Sequence, residues 1–69
     1  MLKLGKYKHY KGKEYQVVGV AKQSETLEKM VVYKALYGKK ELWVRPLKMF
    51  CEKVEIGGKK VPRFKRLKK

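Results

Sequence analysis

Length and composition set the first limits on this chain. Its 69 residues, 43% hydrophobic and 38% charged, suffice for one small domain and are too few for two. A core of this size supplies only about 3–5 kcal/mol, which disfavours most large enzyme folds. We therefore expect a single domain over residues 1–69, with a core from about residue 4 to 64 and a basic tail at 65–69.

The charge of the chain is strongly unbalanced. Twenty Lys and Arg residues against six acidic residues give a formal net charge of +14, and only four of the basic residues lie in the last five positions. Nucleic acid is the expected partner, because Lys and Arg neutralise phosphates and release counterions. However, only Arg45, Arg63 and Arg66 carry the guanidinium group that favours bidentate phosphate contacts. A solvated lysine surface explains the charge equally well.

Cysteine content and hydropathy bear on the compartment. The single cysteine, Cys51, cannot form an internal disulfide, and no Cys and His spacing typical of metal sites occurs. No apolar run approaches the roughly 18 residues of a spanning helix, and residues 1–13 alternate apolar residues with Lys instead of forming a signal sequence. The sequence thus predicts a cytoplasmic protein with no membrane partner, no metal and no cofactor.

The first half of the chain predicts three strands. Residues 4–10, 14–21 and 30–37 are rich in β-branched and aromatic residues. Both faces of the third strand are partly apolar, as expected near the middle of a small curled sheet. Residues 22–29 are polar and lack a good helix cap, which favours a loop.

The second half predicts three more short strands. Residues 41–45 end at Pro46, residues 47–50 fit either one helical turn or irregular chain, and residues 51–56 alternate before a glycine pair. Pro62 places the last strand, 59–64, at a sheet edge. The sum is a mainly β fold, a small β-barrel or roll of five or six short antiparallel strands with little helix.

Several aromatic-containing segments follow one another in an order and spacing that resemble a known family. They are GKYKHYKGKEYQV at 5–17, SET at 24–26, VVY at 31–33, LY at 36–37, LWVRP at 42–46, MF at 49–50 and PRF at 62–64. Over residues 4–67 the chain is similar to the bacterial domain of unknown function 1653 family. The resemblance implies an SH3-like β-barrel and no established activity. One departure is Gln23, where relatives often have His, so no metal or acid–base role is expected there.

No arrangement of residues predicts catalysis. His9 is the only histidine and a conceivable base for Cys51, Ser24 or Thr26, but nothing in the spacing requires such a pair. The chain has no Asp or Asn to orient the imidazole. One His, one Cys and scattered Glu residues do not predict a zinc site, and Cys51 is expected to have a structural position. We expect a protein that is not an enzyme.

The loop at residues 24–26 is a candidate binding element. Ser24, Glu25 and Thr26 place two hydroxyls and a carboxylate between two strands, where they can present a polar recognition edge. Alternatively, Ser24 and Thr26 hydrogen-bond their own backbone and only set the shape of the loop.

Aromatic and arginine residues form the other candidate site. The one Trp, five Tyr and two Phe residues exceed what a minimal core hides comfortably, so some rings must lie near the surface. Tyr15, Trp43 and Phe50 are expected in the core. Arg45 and Arg63 are the preferred anion-contacting pair, although pairing of Arg45 with a glutamate, Glu25 or Glu41, is the alternative. The candidate binding residues are Tyr7, His9, Tyr10, Ser24, Glu25, Thr26, Tyr37, Trp43, Arg45 and Arg63.

Three functions are consistent with these features. The first is a module that binds RNA or single strands, with Lys on phosphates and Tyr7, Tyr10 or Trp43 on bases. The second is a protein- or peptide-interaction module whose positive charge is incidental. The third is a small ligand-binding or catalytic domain around His9 and the loop at 24–26. A basic patch beside the aromatics favours the first, evenly spread lysines the second and a deep pocket the third. We expect a monomer or a weak homodimer formed through an open sheet edge.

Overall fold

A computed structural model describes residues 2–67 as seven strands and one short helix. The elements are β1 (Gly5–His9), β2 (Glu14–Lys22), β3 (Lys29–Ala35), β4 (Leu42–Pro46), α1 (Leu47–Phe50), β5 (Lys53–Ile56), β6 (Lys59–Pro62) and β7 (Phe64–Arg66). The mainly β fold, the loop after β2 and the helical turn at 47–50 are confirmed. No helix in this described part of the chain is long and apolar enough to cross a membrane.

The strands form two antiparallel groups. Five of them make one sheet in the order β4-β3-β2-β1-β7, and β5 and β6 form a separate hairpin. The predicted last strand, 59–64, is divided at Arg63, because β7 pairs with β1 instead of continuing the hairpin. This division gives seven strands in place of the predicted five or six. Lys65 and Arg66, predicted as part of a tail, therefore belong to the sheet, while residues 68 and 69 lie outside the described residues.

Glycine determines the turn of the hairpin. Ile56 pairs with Lys59, so the connection has only two residues, Gly57 and Gly58. Their φ values are 55° and 82°. Two-residue hairpin turns of this kind need positive φ at both positions, which glycine adopts without steric cost. The predicted hairpin is confirmed.

A β-bulge bends β2. Val17 pairs with Tyr33, whereas Gly19 pairs with Val32, so Val18 is an extra residue in the ladder. Val17 is 1% exposed and Val18 is 48% exposed. Because a bulge bends its strand and increases the twist, it contributes to the curl of the sheet around the core.

The core lies between one face of the sheet and α1. Phe50, the last residue of α1, is 1% exposed, and its ring stacks on that of Phe64 with centroids 4.1 Å apart. The ring of Tyr7 meets Phe50 edge to face at 5.5 Å. A helix of four residues has little stability of its own, so these aromatic contacts must hold it in place.

The predictions for Trp43 and Cys51 are wrong. Trp43 is 49% exposed, because it lies on β4, the outermost strand of the sheet. Its side chain is therefore less covered than that of Phe50. Cys51, predicted to have a structural position, is exposed directly after α1. By contrast Phe50 is buried as predicted, and Tyr15 is half-buried at the margin of the core.

Candidate functional site

A row of aromatic rings lies at one end of the sheet. The ring centroid of Tyr15 is 5.5 Å from that of Tyr37 and 6.5 Å from that of His9. The His9 ring in turn lies 4.5 Å from the Tyr10 ring. We call these four residues, Tyr10, His9, Tyr15 and Tyr37, the aromatic strip.

Strand pairing brings the aromatic strip together. The tight turn after β1 returns the chain to Tyr15 in β2, so His9 and Tyr10 lie beside it. Tyr15 pairs with Ala35, the last residue of β3, and Tyr37 therefore follows just beyond it. Residues far apart in the sequence thus share one end of the sheet.

The aromatic strip rests on the core. The Tyr15 ring lies 5.3 Å from that of Tyr33 and 5.5 Å from that of Phe64, both of which are buried. His9 is also 4.9 Å from Phe64. Because the inner rings are fixed by packing, the outer rings have a firm support.

Basic side chains lie against aromatic rings of this region. The Nζ of Lys13 is 4.6 Å from the centroid of Tyr37, and the Nζ of Lys11 is 5.9 Å from that of Tyr10. The guanidinium carbon of Arg45 lies 5.9 Å from the centroid of Phe64. These distances are within the range of cation–π attraction. Cations and aromatic groups therefore share one surface.

Arg45 has no carboxylate partner among residues 2–67. Its Nε donates a hydrogen bond of 3.4 Å to the hydroxyl of Tyr33. The one ion pair in the described part of the chain joins Arg63 to Glu52 at 3.2 Å. The predicted pairing of Arg45 with Glu25 or Glu41 is therefore wrong, and its charge remains available to an anion.

Arg63 is held next to the aromatic strip. Its backbone carbonyl accepts a 2.9 Å hydrogen bond from the N–H of Tyr10, and its own N–H donates to the carbonyl of Glu52. The side chain is partly buried, and its Nε has no hydrogen-bond partner among residues 2–67. The Glu52 contact neutralises part of its charge, so Arg45 is the freer of the two guanidinium groups.

His9 is a neutral member of the aromatic strip. Burial lowers its pKa below the ordinary value of 6.5, and the nearby charges of Arg63, Arg45 and Lys11 lower it further. Its Nδ1 accepts a 3.1 Å hydrogen bond from the Lys11 N–H, so the ring proton resides on Nε2. Both predicted anion-contacting arginines therefore lie close enough to influence this imidazole.

The structure does not bring His9 to a nucleophile. No hydrogen bond within residues 2–67 joins it to Cys51, Ser24 or Thr26. The same residues contain no group of three or more His, Cys, Asp or Glu side chains placed to hold a metal ion.

Two hydroxyls meet within the aromatic strip. The Tyr15 and Tyr37 oxygens are 2.7 Å apart. Burial, together with this hydrogen bond, raises the pKa of Tyr15 to about 12. The Tyr15 hydroxyl is therefore protonated at neutral pH and able to donate or accept a hydrogen bond.

Two predicted stacking residues differ in exposure. Tyr7 is 5% exposed, and its hydroxyl donates to the Lys3 carbonyl at 2.6 Å, so it cannot stack on a base. This part of the prediction is wrong, because alternation along β1 points Tyr7 into the core. Trp43 is open to solvent on β4, opposite Tyr33.

The loop at 24–26 lies at the other end of the sheet. β2 runs from Tyr15 in the aromatic strip to Lys22 before this loop, seven residue steps that correspond to roughly 23 Å of strand. Gln23 organises the loop: its Oε1 accepts hydrogen bonds from the N–H groups of Glu25 at 2.6 Å and Thr26 at 3.2 Å. The Thr26 hydroxyl accepts one from the Glu28 N–H at 3.2 Å. Thr26 thus hydrogen-bonds the backbone and helps to set the shape of the loop, as the alternative interpretation predicts. The loop is not part of the aromatic strip.

Two surface grooves flank the sheet. One, the near groove, has a volume of about 610 Å³, lies between β1, β7 and the hairpin and adjoins the aromatic strip. The other, the far groove, has a volume of about 690 Å³ and lies at the loop end. Neither is lined by an acidic residue or joins His9 to the loop at 24–26. The near groove is lined by Lys8, His9, Tyr10, Ile56, Val61, Pro62, Lys65 and Leu67.

Sequence reasoning missed three members of this surface. Lys11, Lys13 and Tyr15 were not among the predicted binding residues. The available signal was their spacing: a turn flanked by Tyr10 and Tyr15 carries both lysines, and a turn between paired strands brings its flanking residues together.

These features define a small antiparallel β domain with a basic aromatic surface. The family model described as Protein of unknown function (DUF1653) matches residues 5–66, and the chain belongs to this family. The crystal structure of a DUF1653 protein from Bordetella bronchiseptica is similar, with 37% sequence identity and a TM-score of 0.88. The likeness covers 96% of this chain and 87% of that one. No curated protein matches the chain. The resemblance to this family, identified in the sequence, is confirmed.

Proposed function

We propose that the aromatic strip and its cations bind single-stranded nucleic acid, RNA or DNA, without strong sequence preference. The observation that carries the proposal is the placement of Lys11 and Lys13 against the rings of Tyr10 and Tyr37. Proteins that bind single strands combine stacking rings with cations that follow the phosphates. A cytoplasmic location fits this function and the free thiol of Cys51.

The exposed rings supply the stacking surfaces. Tyr10 and Tyr37 are 37% and 38% exposed, which leaves part of each ring to a base. Their other contacts are with His9 and Tyr15, so little side-chain freedom remains to be lost on binding. The lysine now lying on each ring has the length to reach a phosphate beside the stacked base.

The near groove extends this surface beyond Tyr10. Lys8 in β1 and Lys65 in β7 are directly opposite each other and both line it. Like charges opposite each other destabilise a sheet, and a bound phosphate between them removes that cost. The path for a strand therefore runs from Tyr37 through Tyr10 into the near groove.

Arginine provides a further phosphate contact on this path. Arg45 and Arg63 both lie near His9, and Arg45 has no carboxylate partner in the described part of the chain. The Arg45 guanidinium group, which the Tyr33 hydroxyl holds in place by accepting a hydrogen bond from Nε, has its other N–H donors for a phosphate.

The test is fluorescence anisotropy with labelled single-stranded RNA, single-stranded DNA and duplex DNA at two salt concentrations. Lys11→Gln/Lys13→Gln is compared with Lys22→Gln/Lys29→Gln, a cross-strand pair at the loop end that removes the same charge. We expect the first double variant to lose more affinity than the second. Tyr37→Ala and Tyr10→Ala should each lose about 1–3 kcal/mol, or roughly 5- to 150-fold.

Two results would contradict the proposal. Equal losses in both lysine double variants, with no effect of either tyrosine variant, would reduce the binding to net charge. No binding near physiological salt would favour the protein-interaction function instead. A specific observation supports that second candidate: the far groove is lined by apolar side chains, including Leu2, Leu4, Val20 and Leu47.

A further inference from the structure

The outer edge of β4 is open. β4 is the last strand of the sheet order, so within residues 2–67 it pairs only with β3. Three consecutive side chains of β4 are exposed although all are apolar: Leu42 by 64%, Trp43 by 49% and Val44 by 61%. An edge strand with exposed apolar side chains is a template for pairing with another strand.

The register of β4 shows which backbone groups are free. The N–H of Ala35 in β3 donates to the carbonyl of Glu41 at 2.9 Å. Backbone groups of alternate residues point the same way in an antiparallel ladder, so those of Trp43 and Arg45 also face β3. The N–H and C=O groups of Leu42 and Val44 consequently point outward. This edge offers two donors and two acceptors to a new strand.

Natural edge strands usually carry features that prevent such pairing, and β4 has few of them. Lysine, a bulge and inward charge are the common ones. β4 contains no lysine, its ladder with β3 is regular, and its proline stands at the last position, Pro46. Its one inward charge, Arg45, hydrogen-bonds Tyr33 of the same sheet. The open edge is therefore not protected in the usual way.

We propose that the β4 edges of two copies of this chain pair antiparallel around Trp43. In this register Leu42 lies opposite Val44 of the second copy, and their outward groups form four backbone hydrogen bonds by symmetry. Trp43 lies opposite Trp43 of the second copy. Glu41 lies opposite Arg45 of the second copy, so the two opposite charges that fail to pair within one chain pair between two.

The alternative register centred on Val44 is less favourable. It places Leu42 opposite Pro46, which has no N–H to donate, and leaves the Leu42 carbonyl without a partner. It also removes the Glu41 contact with Arg45. The register centred on Trp43 satisfies all the outward groups of Leu42 and Val44 and is therefore the favoured one.

The salt dependence of association distinguishes this dimer from binding to nucleic acid. Each copy carries a formal charge of +14, so the two bodies repel, whereas the edge itself carries balancing charges. Added salt screens the repulsion between the bodies. Dimerisation should therefore strengthen with salt, whereas binding to nucleic acid should weaken. The inference is argued from observations other than those of the proposed function; the two share only Arg45, whose charge the dimer pairs with Glu41 of the second copy.

The first experiment is sedimentation equilibrium of the full chain without nucleic acid. We expect the mass to rise from 8.2 kDa toward twice that value with concentration. Glu41→Arg and Arg45→Glu should each weaken association at least tenfold, and the double variant should restore it. A mass of 8.2 kDa at every protein and salt concentration would overturn the proposal. The same holds if the charge variants associate as strongly as the original chain.

The second experiment tests the register. In a Cys51→Ser background, which removes the only cysteine, Trp43→Cys places two thiols at a facing position with Cα atoms roughly 4.5 Å apart. Leu42→Cys, the matched control, leaves its thiols offset by two residues along the strands, beyond disulfide reach. Under mild oxidation Trp43→Cys should give a covalent dimer much faster than Leu42→Cys. Equal rates would mean random encounter and contradict the register.

Discussion

The two edges of the five-stranded sheet are built differently. β7 has three residues, its inward side chain Phe64 is buried in the core, and both others, Lys65 and Arg66, are basic and exposed. β4 has five residues, carries no lysine and exposes its apolar side chains. In a chain of this charge, β7 thus has two exposed basic residues, whereas the single basic residue of β4, Arg45, is turned toward Tyr33. The two edges therefore differ in positive charge. This difference determines which edge can pair with another strand.

The largest contrast expected between the edges is in folding stability. Phe64→Ala removes a buried ring that stacks on Phe50, and should cost about 3–5 kcal/mol of unfolding free energy. Trp43→Ala removes an exposed ring of β4 and should change it by less than about 0.5 kcal/mol. Urea denaturation of dilute protein measures both. If Phe64→Ala does not fold, Phe64→Leu gives a measurable loss, and an equal loss for Trp43→Ala would mean that the β4 edge is covered.

Adding a lysine to the β4 edge and removing one from the β7 edge should reverse which edge self-associates. Val44→Lys places a lysine on the β4 edge and should weaken self-association by about tenfold or more, or about 1.4 kcal/mol. Lys65→Val removes a lysine from β7 and should add association beyond the dimer. Sedimentation velocity distinguishes the species, with Ile56→Lys in the hairpin as a control of similar exposure. Equal loss of association for Ile56→Lys would show that net charge, and not the edge, decides.

In the middle of the sheet, Tyr15 of β2 has a raised pKa. The native state holds the Tyr15 proton up to a pKa of about 12, above the ordinary value of 10.0. The resulting stability is fully present below pH 10 and is lost as the pH rises toward 12. Burial also raises the pKa of Tyr7, so ultraviolet titration should show late tyrosines, and Tyr15→Phe should remove one of them. Tyr37→Phe should lower the pKa of Tyr15, and Tyr10→Phe should leave it unchanged.

The smallest expected effect concerns an arginine from each side of the sheet. Arg63, next to β7, and Arg45, in β4, both lower the pKa of His9, with burial the larger cause and Arg63 ahead of Arg45. Arg63→Gln should therefore raise the His9 pKa more than Arg45→Gln, and Lys22→Gln should not change it. Proton NMR follows the only histidine directly. The opposite order would place Arg45 closer to the imidazole.

The same histidine links stability to pH in the acidic range. Because its folded pKa is lowered, its contribution is present above the ordinary value of 6.5 and is lost as the pH falls through the folded value. Unfolding free energy should thus fall on acidification, and His9→Gln should reduce the slope. A steeper slope in that variant would contradict the direction of the shift.

Sequence reasoning predicted the local elements of this fold well. Alternation and turn residues predicted β2, β3 and the Gly57–Gly58 hairpin, because neighbouring residues determine those features. It missed the division at Arg63, since pairing of β7 with β1 joins the two ends of the chain. It also placed Tyr7 on the surface and Trp43 in the core. Alternation indicates which residues share a face, but the covering element and the edge strand depend on tertiary contacts.

The candidate site was predictable only in part. Arg45 and Arg63 were identified from their neighbouring prolines and aromatic residues, and both lie near His9. The loop at 24–26 was included among the same candidate residues, although most of β2 lies between this loop and the aromatic strip. The aromatic strip itself depends on which strand ends lie side by side, and this pairing cannot be determined from one sequence.

Pairing of β1 with β7 has a consequence for how the chain reaches its fold. The Lys6 carbonyl accepts a 2.8 Å hydrogen bond from the Leu67 N–H, and the Leu4 carbonyl accepts one of 3.2 Å from the Arg66 Nε. On the ribosome, β1 cannot gain its second neighbour until β7 has emerged, so nascent chains expose a second unpaired edge. The same closeness makes a circular permutant feasible. A short linker joining residue 67 to residue 2, with the chain opened between Gly57 and Gly58, should keep the sheet and change the order in which its strands are made.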